Sequence, residues 1–412
     1  MLKIAVMGYG VVGSGVVEVF YKNRDSIVAK AGRELDIKYI LDLRDFPGSP
    51  YSAKMIKDFE LIVSDPEIGV VVEVMGGLNP SYEFVRRCLE AGKSVVTSNK
   101  ELVAAKGAQL LAAAREHGVN FLFEASVGGG IPIIRPISQC LAANEIDEIS
   151  GILNGTTNFI LTKMIREQMS FEDALALAQQ LGYAERDPSA DVDGHDACRK
   201  ICILASLAFG RHIYPAQVHT EGISKLTAAD VEYASIWGGA VKLIGRARRL
   251  PDGRLDIHVA PEFISRDSQL STVDDVFNAI MVRGDATGDV MFYGRGAGKL
   301  PTASAVVADI IDCAKHVNAR KYLSWDDGDG STVAPWEDGE AAFYVRAKSA
   351  DPAKAIAAVS ALFGPVQVLS NPKAPPQEAA FVTPVVRRGA LKPGLVSLAS
   401  VLEAVAAIQI GE

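Results

Sequence analysis

The chain has 412 residues, of which 49% are hydrophobic and 22% are charged, and its formal net charge is −8. This length and composition predict two or three domains with sizeable buried cores. The negative charge and the lack of a basic run argue against a nucleic-acid partner.

The cysteines and the hydropathy pattern indicate the cellular compartment in which the protein is expected. The chain has five cysteines and none forms a C-x-x-C pair; they are Cys88, Cys140, Cys198, Cys202 and Cys313. This pattern is typical of reduced thiols rather than of a disulfide framework. No apolar stretch reaches the ~18 residues that a membrane helix needs. We therefore expect a cytoplasmic protein that does not bind membranes.

Residues 1–138 alternate between short apolar strands and helical stretches. The predicted strands are LKIAVM, LDIKYILDLRD, GVVVEVMGG, SVVTSNK and VNFLFEASVGG. Strands that alternate with helices of about ten to fifteen residues predict an α/β fold with a doubly wound parallel sheet of the Rossmann type.

The pattern changes from about residue 139. EIDEISGILNGTTNFILTKM predicts a strand and a helix, DIHVAPEFI and AIMVRGDATGDVMFYG predict strands, and ASAVVADIIDCAKHV predicts a helix. Residues 139–298 are therefore expected to form an α+β domain. Residues 324–339, SWDDGDGSTVAPWEDG, are acidic and rich in Gly, Pro and Ser, which predicts a linker over residues 321–339.

Residues 340–412 predict a small α+β module with its own core. Its elements read strand, helix, strand, strand, helix, strand, with LVSLASVLEAVAA as the second helix and IQI as the last strand.

Gly8, Gly10 and Gly13 form a G-x-G-x-x-G turn, GYGVVG, between the first predicted strand and the first predicted helix. In this context the glycines let the backbone approach a pyrophosphate, whose charge the N–H groups at the start of the helix hold. A tight turn without a ligand is the structural alternative.

The end of the second strand is expected to meet the adenosine ribose. Asp42 would accept hydrogen bonds from a ribose 2′-OH and favour NAD, whereas Arg44 would pair with a 2′-phosphate and favour NADP. The two residues point to different cofactors, so the preference stays open.

Lys100 follows VVTSN at the carboxyl end of a predicted strand, the edge at which open α/β sheets bind ligands. An ammonium there can polarise a carbonyl or move a proton. The alternative is a surface lysine at a helix start. A cation is unfavourable at that position, which favours the functional interpretation.

Two glycine-containing turns follow. EASVGGGIP could bind a monovalent cation through its carbonyls or serve as a hinge, and local chemistry alone favours the hinge. NGTTN has the signature of a helix N-cap and could equally be a seat for a carboxylate.

LGYAERDPSADVDGHDACRK is a polar cluster directly before the apolar run ICILASLAFG. Asp196 and Lys200 lie four residues apart on one predicted helix face, which could be a surface ion pair. Because the apolar run predicts a buried helix, Lys200 is instead expected to line an interior or a cleft. Glu185, Asp191 and Asp196 could then hold an ammonium. A metal site is disfavoured, because the spacing lacks the ligands of an EF-hand.

Together these stretches resemble the homoserine dehydrogenase family. The family signature A-x-x-x-G-[apolar]-[small]-x-x-D-P-x-x-D-[apolar]-x-G-x-D-x-x-x-K is met throughout by residues 178–200. Further matching motifs are GYGVVGSGV, VVEVMGG, VVTSNK, EASVGGGIPII, LNGTTNFIL and GRGAGKLPTASAV, and together they cover roughly residues 1–320. The resemblance implies NAD(P)-dependent interconversion of L-homoserine and L-aspartate 4-semialdehyde, on the route to threonine, methionine and isoleucine.

The resemblance also implies roles for single residues. Lys200 would donate or accept the proton at the reacting oxygen, Lys100 would assist catalysis, and Asp196 would keep Lys200 charged and oriented. The implied cofactor-binding residues are Gly8, Tyr9, Gly10, Val11, Val12, Gly13, Asp42, Arg44, Lys100, Gly182, Gly296 and Gly298. The implied substrate-binding residues are Gly155, Thr156, Gly182, Tyr183, Glu185, Asp191, Asp196 and Lys200.

A sodium-like cation is implied as well, which replaces the hinge favoured by local chemistry. Its implied ligands are backbone carbonyls of Glu124, Val127, Gly129 and Ile131. The helix at 299–320 is expected to return to the nucleotide-binding domain, and 139–298 to serve substrate binding and dimerisation.

The C-terminal module, residues 340–412, resembles an ACT domain. Ala353 stands where a typical ACT loop has glycine, which disfavours threonine binding, and the module is instead expected to serve mainly in contacts of a homodimer or homotetramer. Two other functions are alternatives. An enzyme like aspartate-semialdehyde dehydrogenase would need a nucleophilic cysteine. A non-catalytic amino-acid sensor would not need Lys100 and Lys200.

Overall fold

The computed structural model describes residues 1–317, 319 and 323–411. Residues 318 and 320 of the predicted return segment, 321 and 322 of the predicted linker and 412 of the C-terminal module lie outside this description. The chain forms two compact units: residues 1–147, 199–215 and 282–329, and residues 148–198, 216–281 and 330–412. In the described part of the chain, no helix has both the length and the apolar character needed to cross a membrane.

The first unit is built on a parallel sheet. Its strands are β1 (Leu2–Met7), β2 (Leu35–Leu41), β3 (Met55–Ile56), β4 (Ile68–Glu73), β5 (Ser94–Thr97) and β6 (Phe121–Leu122). Its first helices are α1 (Val11–Lys22), α2 (Arg24–Ala31), α3 (Glu60–Val63), α4 (Ser81–Glu90) and α5 (Lys100–Glu116). The strand order is β3-β2-β1-β4-β5-β6, with every pair parallel. The predicted doubly wound sheet is confirmed, and the short strand β3 is an addition to it.

The strands of this sheet are covered on both faces. Val70, Val71 and Val72 of β4 are at most 1% exposed, as is typical of a parallel strand between two helical layers. Strand order reverses between β1 and β4, and ligands of such sheets bind beyond the carboxyl ends at that point.

The second unit contains a mixed sheet; of the elements named next, residues 146–147 of β7, 199–209 of α9 and 282–284 of β11 belong to the first unit. The elements of residues 146–284 are β7 (Ile146–Ile152), α6 (Gly155–Glu167), α7 (Phe171–Gln180), α8 (Ser189–Val192), α9 (His195–Phe209), β8 (His219–Thr220), α10 (Ala228–Trp237), β9 (Gly239–Arg249), β10 (Leu255–Ser265) and β11 (Phe277–Gly284). Strands β9 and β10 form a long antiparallel pair from Gly239↔Ser265 to Arg249↔Leu255. The predicted strand and helix over EIDEISGILNGTTNFILTKM are confirmed as β7 and α6.

The chain continues with β12 (Gly288–Arg295) and α11 (Lys299–Lys315), which belong to the first unit. Helix α11 packs on α1 through a close approach at Gly15, where a Cβ would lie 3.2 Å from the Cβ of Ala303. Lys299 also pairs with Glu18 at 2.7 Å.

The C-terminal residues form the predicted α+β module. Its elements are β13 (Glu340–Ala341), β14 (Phe343–Lys348), α12 (Pro352–Phe363), β15 (Gln367–Val368), β16 (Glu378–Val382), β17 (Val386–Arg387), α13 (Arg388–Ser397) and β18 (Glu403–Ile410). Its main strands are ordered β18-β14-β16-β15, and β18 also pairs with β10. The module has its own apolar core around Val345, Val359 and Phe381. Its assignment to the ACT family stays a prediction.

One element of this module is predicted wrongly. The helix expected over LVSLASVLEAVAA lies earlier, as α13, and Glu403–Ala407 are strand instead. Because β18 pairs with β14 from Glu403 to Gln409, hydrogen bonds across the sheet outweigh the helix propensity of Ala and Glu.

The segment predicted as a linker is anchored by two tryptophans. Trp325 is 3% exposed, and its indole N–H donates to Nδ1 of His212 at 2.9 Å. Trp336 stacks on His219 with 4.1 Å between ring centroids, and the guanidinium of Arg388 lies 3.8 Å from the Trp336 centroid.

Candidate functional site

The glycine turn joins β1 to α1 as the motif predicts. Gly8 has φ +99°, and a Cβ on it would lie 3.0 Å from the carbonyl oxygen of Val74. A Cβ on Gly13 would lie only 1.9 Å from the carbonyl oxygen of Gly8. Gly10 is the N-cap of α1, which begins at the exposed Val11. The turn therefore needs glycine at positions 8 and 13, and it presents helix N–H groups to solvent.

Asp42 and Arg44 bind each other at the end of β2. Arg44 donates from Nε and Nη2 to the carboxylate at 3.0 and 2.9 Å, and the backbone N–H of Tyr9 donates to it at 2.8 Å. The hydrogen bond from the Arg44 side chain holds the pKa of Asp42 well below its usual range. The two residues that suggested different cofactors thus form one charge-neutral pair.

This pair lies beside a cavity of about 430 Å³ in the first unit. Its lining includes Gly8, Gly10, Asp42, Arg44, Met75 and Phe84. The side chain of Arg44 is 64% exposed, so its guanidinium is accessible to an anion from solvent.

Lys100 is the first residue of α5 and is half-buried. Asn99 caps this helix, because its side-chain oxygen accepts a hydrogen bond from the N–H of Leu102 at 3.0 Å. Lys100 is thus fixed at the carboxyl end of β5, the edge predicted from the sequence.

Glu124, a predicted cation ligand, is 3% exposed and begins a short 3-10 helix. Its carboxylate accepts hydrogen bonds from the backbone N–H groups of Ile133, Ile134 and Arg135 at 2.6–3.0 Å. The carboxylate is therefore engaged in hydrogen bonds within the turn. Backbone carbonyl oxygens remain as the candidate ligands of a cation.

The turn at Val127–Ile131 packs against the loop before α11. Gly129 has φ +56°, and a Cβ on it would lie 2.4 Å from the carbonyl oxygen of Gly296. The N–H of Gly130 donates to the carbonyl of Arg295 at 3.1 Å. Gly298, with φ +120°, is the N-cap of α11. Two predicted elements, the cation turn and the GAG loop formed by residues 296–298, are therefore brought together within the first unit.

Asp309 of α11 binds the residues at both ends of this turn. It is 1% exposed, accepts from the N–H of Glu124 at 2.9 Å and pairs with Arg135. Burial raises the pKa of Asp309 to about 7.

Asn154, which is not among the predicted site residues, joins two of the predicted carboxylates. Its side-chain N–H groups donate to Asp191 at 2.7 Å and to Asp196 at 2.9 Å. Its side-chain oxygen accepts from the N–H of Thr157 at 2.8 Å. Asn154 therefore caps α6 and holds Asp191 and Asp196 beside the start of that helix. In the sequence, Asn154 is marked by the N-cap signature of NGTTN and by the family motif LNGTTNFIL.

Gly155 and Thr156 form the first turn of α6. A Cβ on Gly155 would lie 2.7 Å from the carbonyl oxygen of Val276, so a larger residue would displace the neighbouring loop. The hydroxyl of Thr156 donates to the carbonyl of Tyr183 at 2.7 Å. This hydrogen bond brings together Thr156 and Tyr183, two of the predicted substrate-binding residues.

Other residues of the polar stretch differ in exposure. Gly182 has φ +77° and is exposed, and so are Glu185 and His195. Asp196 and Lys200 lie one turn apart on α9 and are only 3% and 6% exposed. The predicted burial of Lys200 is confirmed, whereas the structure does not place the side chain of Glu185 in that interior.

Among the described residues, no group of three or more His, Cys, Asp or Glu side chains is arranged to hold a metal ion. Cys140 is exposed and the other four cysteines are buried.

Two family models match the chain. The model described as "Homoserine dehydrogenase, NAD binding domain" matches residues 8–124, and the one described as "Homoserine dehydrogenase" matches residues 132–311.

The chain is also similar to individual proteins. It is 42% identical to a homoserine dehydrogenase of Pseudomonas aeruginosa over 88% of this chain and 85% of that protein. A crystal structure of a homoserine dehydrogenase from Thiobacillus denitrificans superposes with a TM-score of 0.90 at 34% identity, covering 100% of this chain and 98% of that one. A hyperthermophilic archaeal homoserine dehydrogenase in complex with NADPH has a TM-score of 0.63 at 29% identity, covering 76% and 97%.

Proposed function

Because the chain belongs to the homoserine dehydrogenase family of NAD(P)-dependent oxidoreductases, we propose that Lys200 is the acid–base group of its reaction. In that reaction a hydride passes between a nicotinamide and C4 of the substrate, which interconverts L-homoserine and L-aspartate 4-semialdehyde.

The burial of Lys200 is the observation that carries this proposal. An ammonium that is 6% exposed acts on a neighbouring oxygen with little competition from water. In reduction, the aldehyde carbon receives the hydride and the oxygen receives the proton from Lys200. In oxidation, Lys200 takes the hydroxyl proton as the hydride leaves. Asp196, one helical turn away on α9, is proposed to keep Lys200 charged and oriented.

The amino-acid end of the substrate is assigned to the start of α6 and its neighbours. The first N–H groups of α6, at Gly155 and Thr156, suit a carboxylate. The carboxylates of Asp191 and Asp196, which Asn154 holds together, suit the substrate ammonium.

For the cofactor, the glycine turn is proposed to hold the pyrophosphate, and Lys100 and the GAG loop to lie beside the nicotinamide. A related enzyme was solved in complex with NADPH. Arg44 neutralises Asp42, so a 2′-phosphate can approach Arg44 without meeting an uncompensated carboxylate. We therefore propose that NADP is accepted at least as well as NAD.

A monovalent cation is proposed at the turn of Glu124, Val127, Gly129 and Ile131. Backbone carbonyls suit a hard cation such as sodium, and the carboxylate of Glu124 is engaged elsewhere. The cation would order the turn that contacts the GAG loop. Raising NaCl at constant ionic strength, with choline chloride as the balance, should increase the melting temperature if the site exists.

Assembly into a homodimer or homotetramer is also proposed. Met291 and Tyr293 lie two residues apart on the edge strand β12, so they share one face of it, and they are 40% and 54% exposed. Such an exposed apolar face suits a contact with a second copy of the chain. Light scattering of the purified protein measures the assembly directly.

The decisive experiment is turnover. The purified protein with homoserine and either NAD⁺ or NADP⁺ should raise the absorbance of the reduced cofactor. Absence of turnover with both cofactors would sink the proposal. Insensitivity to iodoacetamide is expected, because no step uses a cysteine.

A further inference from the structure

Glu73 is a fully buried carboxylate at the end of β4 that no step above uses. It is 0% exposed. One oxygen accepts hydrogen bonds from the N–H groups of Met75 and Gly76 at 2.8 and 3.2 Å, and the other accepts from the hydroxyl of Thr97 at 2.6 Å. Three donors directed at one carboxyl group match its ionised form, which only accepts hydrogen bonds. Such a buried charge is costly unless it is satisfied in this way.

On one side, Glu73 shapes the loop of residues 74–77. Gly76 and Gly77 have φ values of +80° and +70°. This loop lies against the glycine turn, since a Cβ on Gly8 would be 3.1 Å from the nitrogen of Met75. The same N–H group of Met75 donates to Glu73, so the carboxylate determines how the loop meets the proposed pyrophosphate site.

On the other side, Glu73 reaches the start of α5. The hydroxyl oxygen of Thr97 accepts from the N–H of Asn99 at 2.9 Å. Asn99 caps α5 and donates from its side chain to the carbonyl of Gly77 at 2.6 Å. Since Lys100 is the first residue of α5, a short chain of hydrogen bonds links Glu73 to the backbone of Lys100.

We infer that Glu73 is a positioning residue that sets the 74–77 loop for the dinucleotide and, through Thr97 and Asn99, the placement of Lys100. This inference rests on the proposed roles of the glycine turn and of Lys100. Glu73 touches neither cofactor nor substrate in this scheme, and its charge acts through the donors it orients.

Three variants test the inference. Glu73→Gln keeps the shape of the side chain but offers a donor where only acceptors fit. It should weaken NADPH binding, measured by fluorescence titration, and lower kcat, each by about tenfold. Thr97→Val removes both hydrogen bonds of the arm towards Asn99 but leaves the N–H groups of Met75 and Gly76 on Glu73, so kcat should fall by about tenfold while NADPH affinity should fall less than in Glu73→Gln. Asp230→Asn is the matched control, because Asp230 is also 0% exposed and bonds Tyr344 and Arg346 in the second unit. It should lower the melting temperature but leave both readouts unchanged.

The results for these variants distinguish a positioning role of Glu73 from a purely structural one. Equal losses of kcat in Glu73→Gln and Asp230→Asn would mean that Glu73 is only structural, and unchanged binding and kcat in Glu73→Gln would overturn the inference. If Glu73→Gln does not fold, Thr97→Val still decides the arm towards Lys100. Lys100→Ala with unchanged kcat would refute the proposed function of Lys100 instead, and the NADPH titration of Glu73→Gln would still test the loop.

Discussion

The side chain of Asn154 donates a 2.9 Å hydrogen bond to the carboxylate of Asp196, which is 3% exposed. The same amide group also holds Asp191 at 2.7 Å. A single neutral group thus keeps two like charges side by side.

Asn154→Ala should lower kcat/KM for homoserine by about 100-fold, because both carboxylates lose a hydrogen bond. It should also lower the free energy of unfolding by about 1 kcal/mol through loss of the cap. Ser170→Ala is the control, since Ser170 caps α7 at 3.1 Å and has no bond to Asp191 or Asp196. Similar losses of kcat/KM in both variants would show that Asn154 acts only as a helix cap. Steady-state kinetics and urea unfolding measure the two effects.

Arg44→Ala should raise the KM for NADP by at least about tenfold, because the 2′-phosphate loses its charge-assisted partner and Asp42 is left unneutralised. The KM for NAD should change little or fall, since Asp42 is then available to the ribose hydroxyls. Arg86→Ala, which removes an exposed arginine paired with Glu83 on α4, should leave both values unchanged. An equal rise of the KM for NADP and the KM for NAD would contradict a role of Arg44 in recognising the 2′-phosphate.

Lys200→Ala should lower kcat by about 100-fold to 10,000-fold, the usual contribution of a positioned acid–base group. Dinucleotide affinity should change by less than about twofold, because Lys200 is proposed to act on the substrate oxygen. Lys163→Ala removes a lysine paired with Glu167 and serves as the control. An equal loss of dinucleotide binding in Lys200→Ala would show that Lys200 is structural.

His212 should make stability depend on pH. Its Nε2 lies 3.0 Å from the carbonyl of Ala104 and its Nδ1 accepts from Trp325, so the neutral tautomer with hydrogen on Nε2 fits both partners. Burial lowers the pKa of His212 from its ordinary value of 6.5. Below pH 6.5 the unfolded chain therefore binds more protons than the folded chain, and the free energy of unfolding should fall as the pH falls towards the folded-state pKa.

Urea unfolding at several pH values between 5 and 8 measures this dependence. His212→Asn should lose that part of the slope, whereas His117→Asn, a change at an exposed histidine, should keep it. An unchanged slope in His212→Asn would assign the dependence to other groups.

Local patterns in the sequence predict most of the first unit. The glycine turn, the alternating strands and the start of α5 follow from short-range periodicity and from turn chemistry, which depend on neighbouring residues. Long-range pairing decides the rest. Ala404, Val405 and Ala406 have the composition of a helix, yet they form strand because β14 lies beside them.

The sequence by itself determined the site of the dinucleotide turn, the apolar helix that buries Lys200 and the family to which the signature points, because each is encoded within one continuous stretch. Only the tertiary structure decided that Asn154 joins Asp191 and Asp196, which are 37 and 42 residues away. It also decided that Glu73 reaches Thr97, 24 residues away. The physical reason is that a hydrogen bond needs two atoms within about 3 Å, and for residues so distant in sequence only the folded backbone sets that distance.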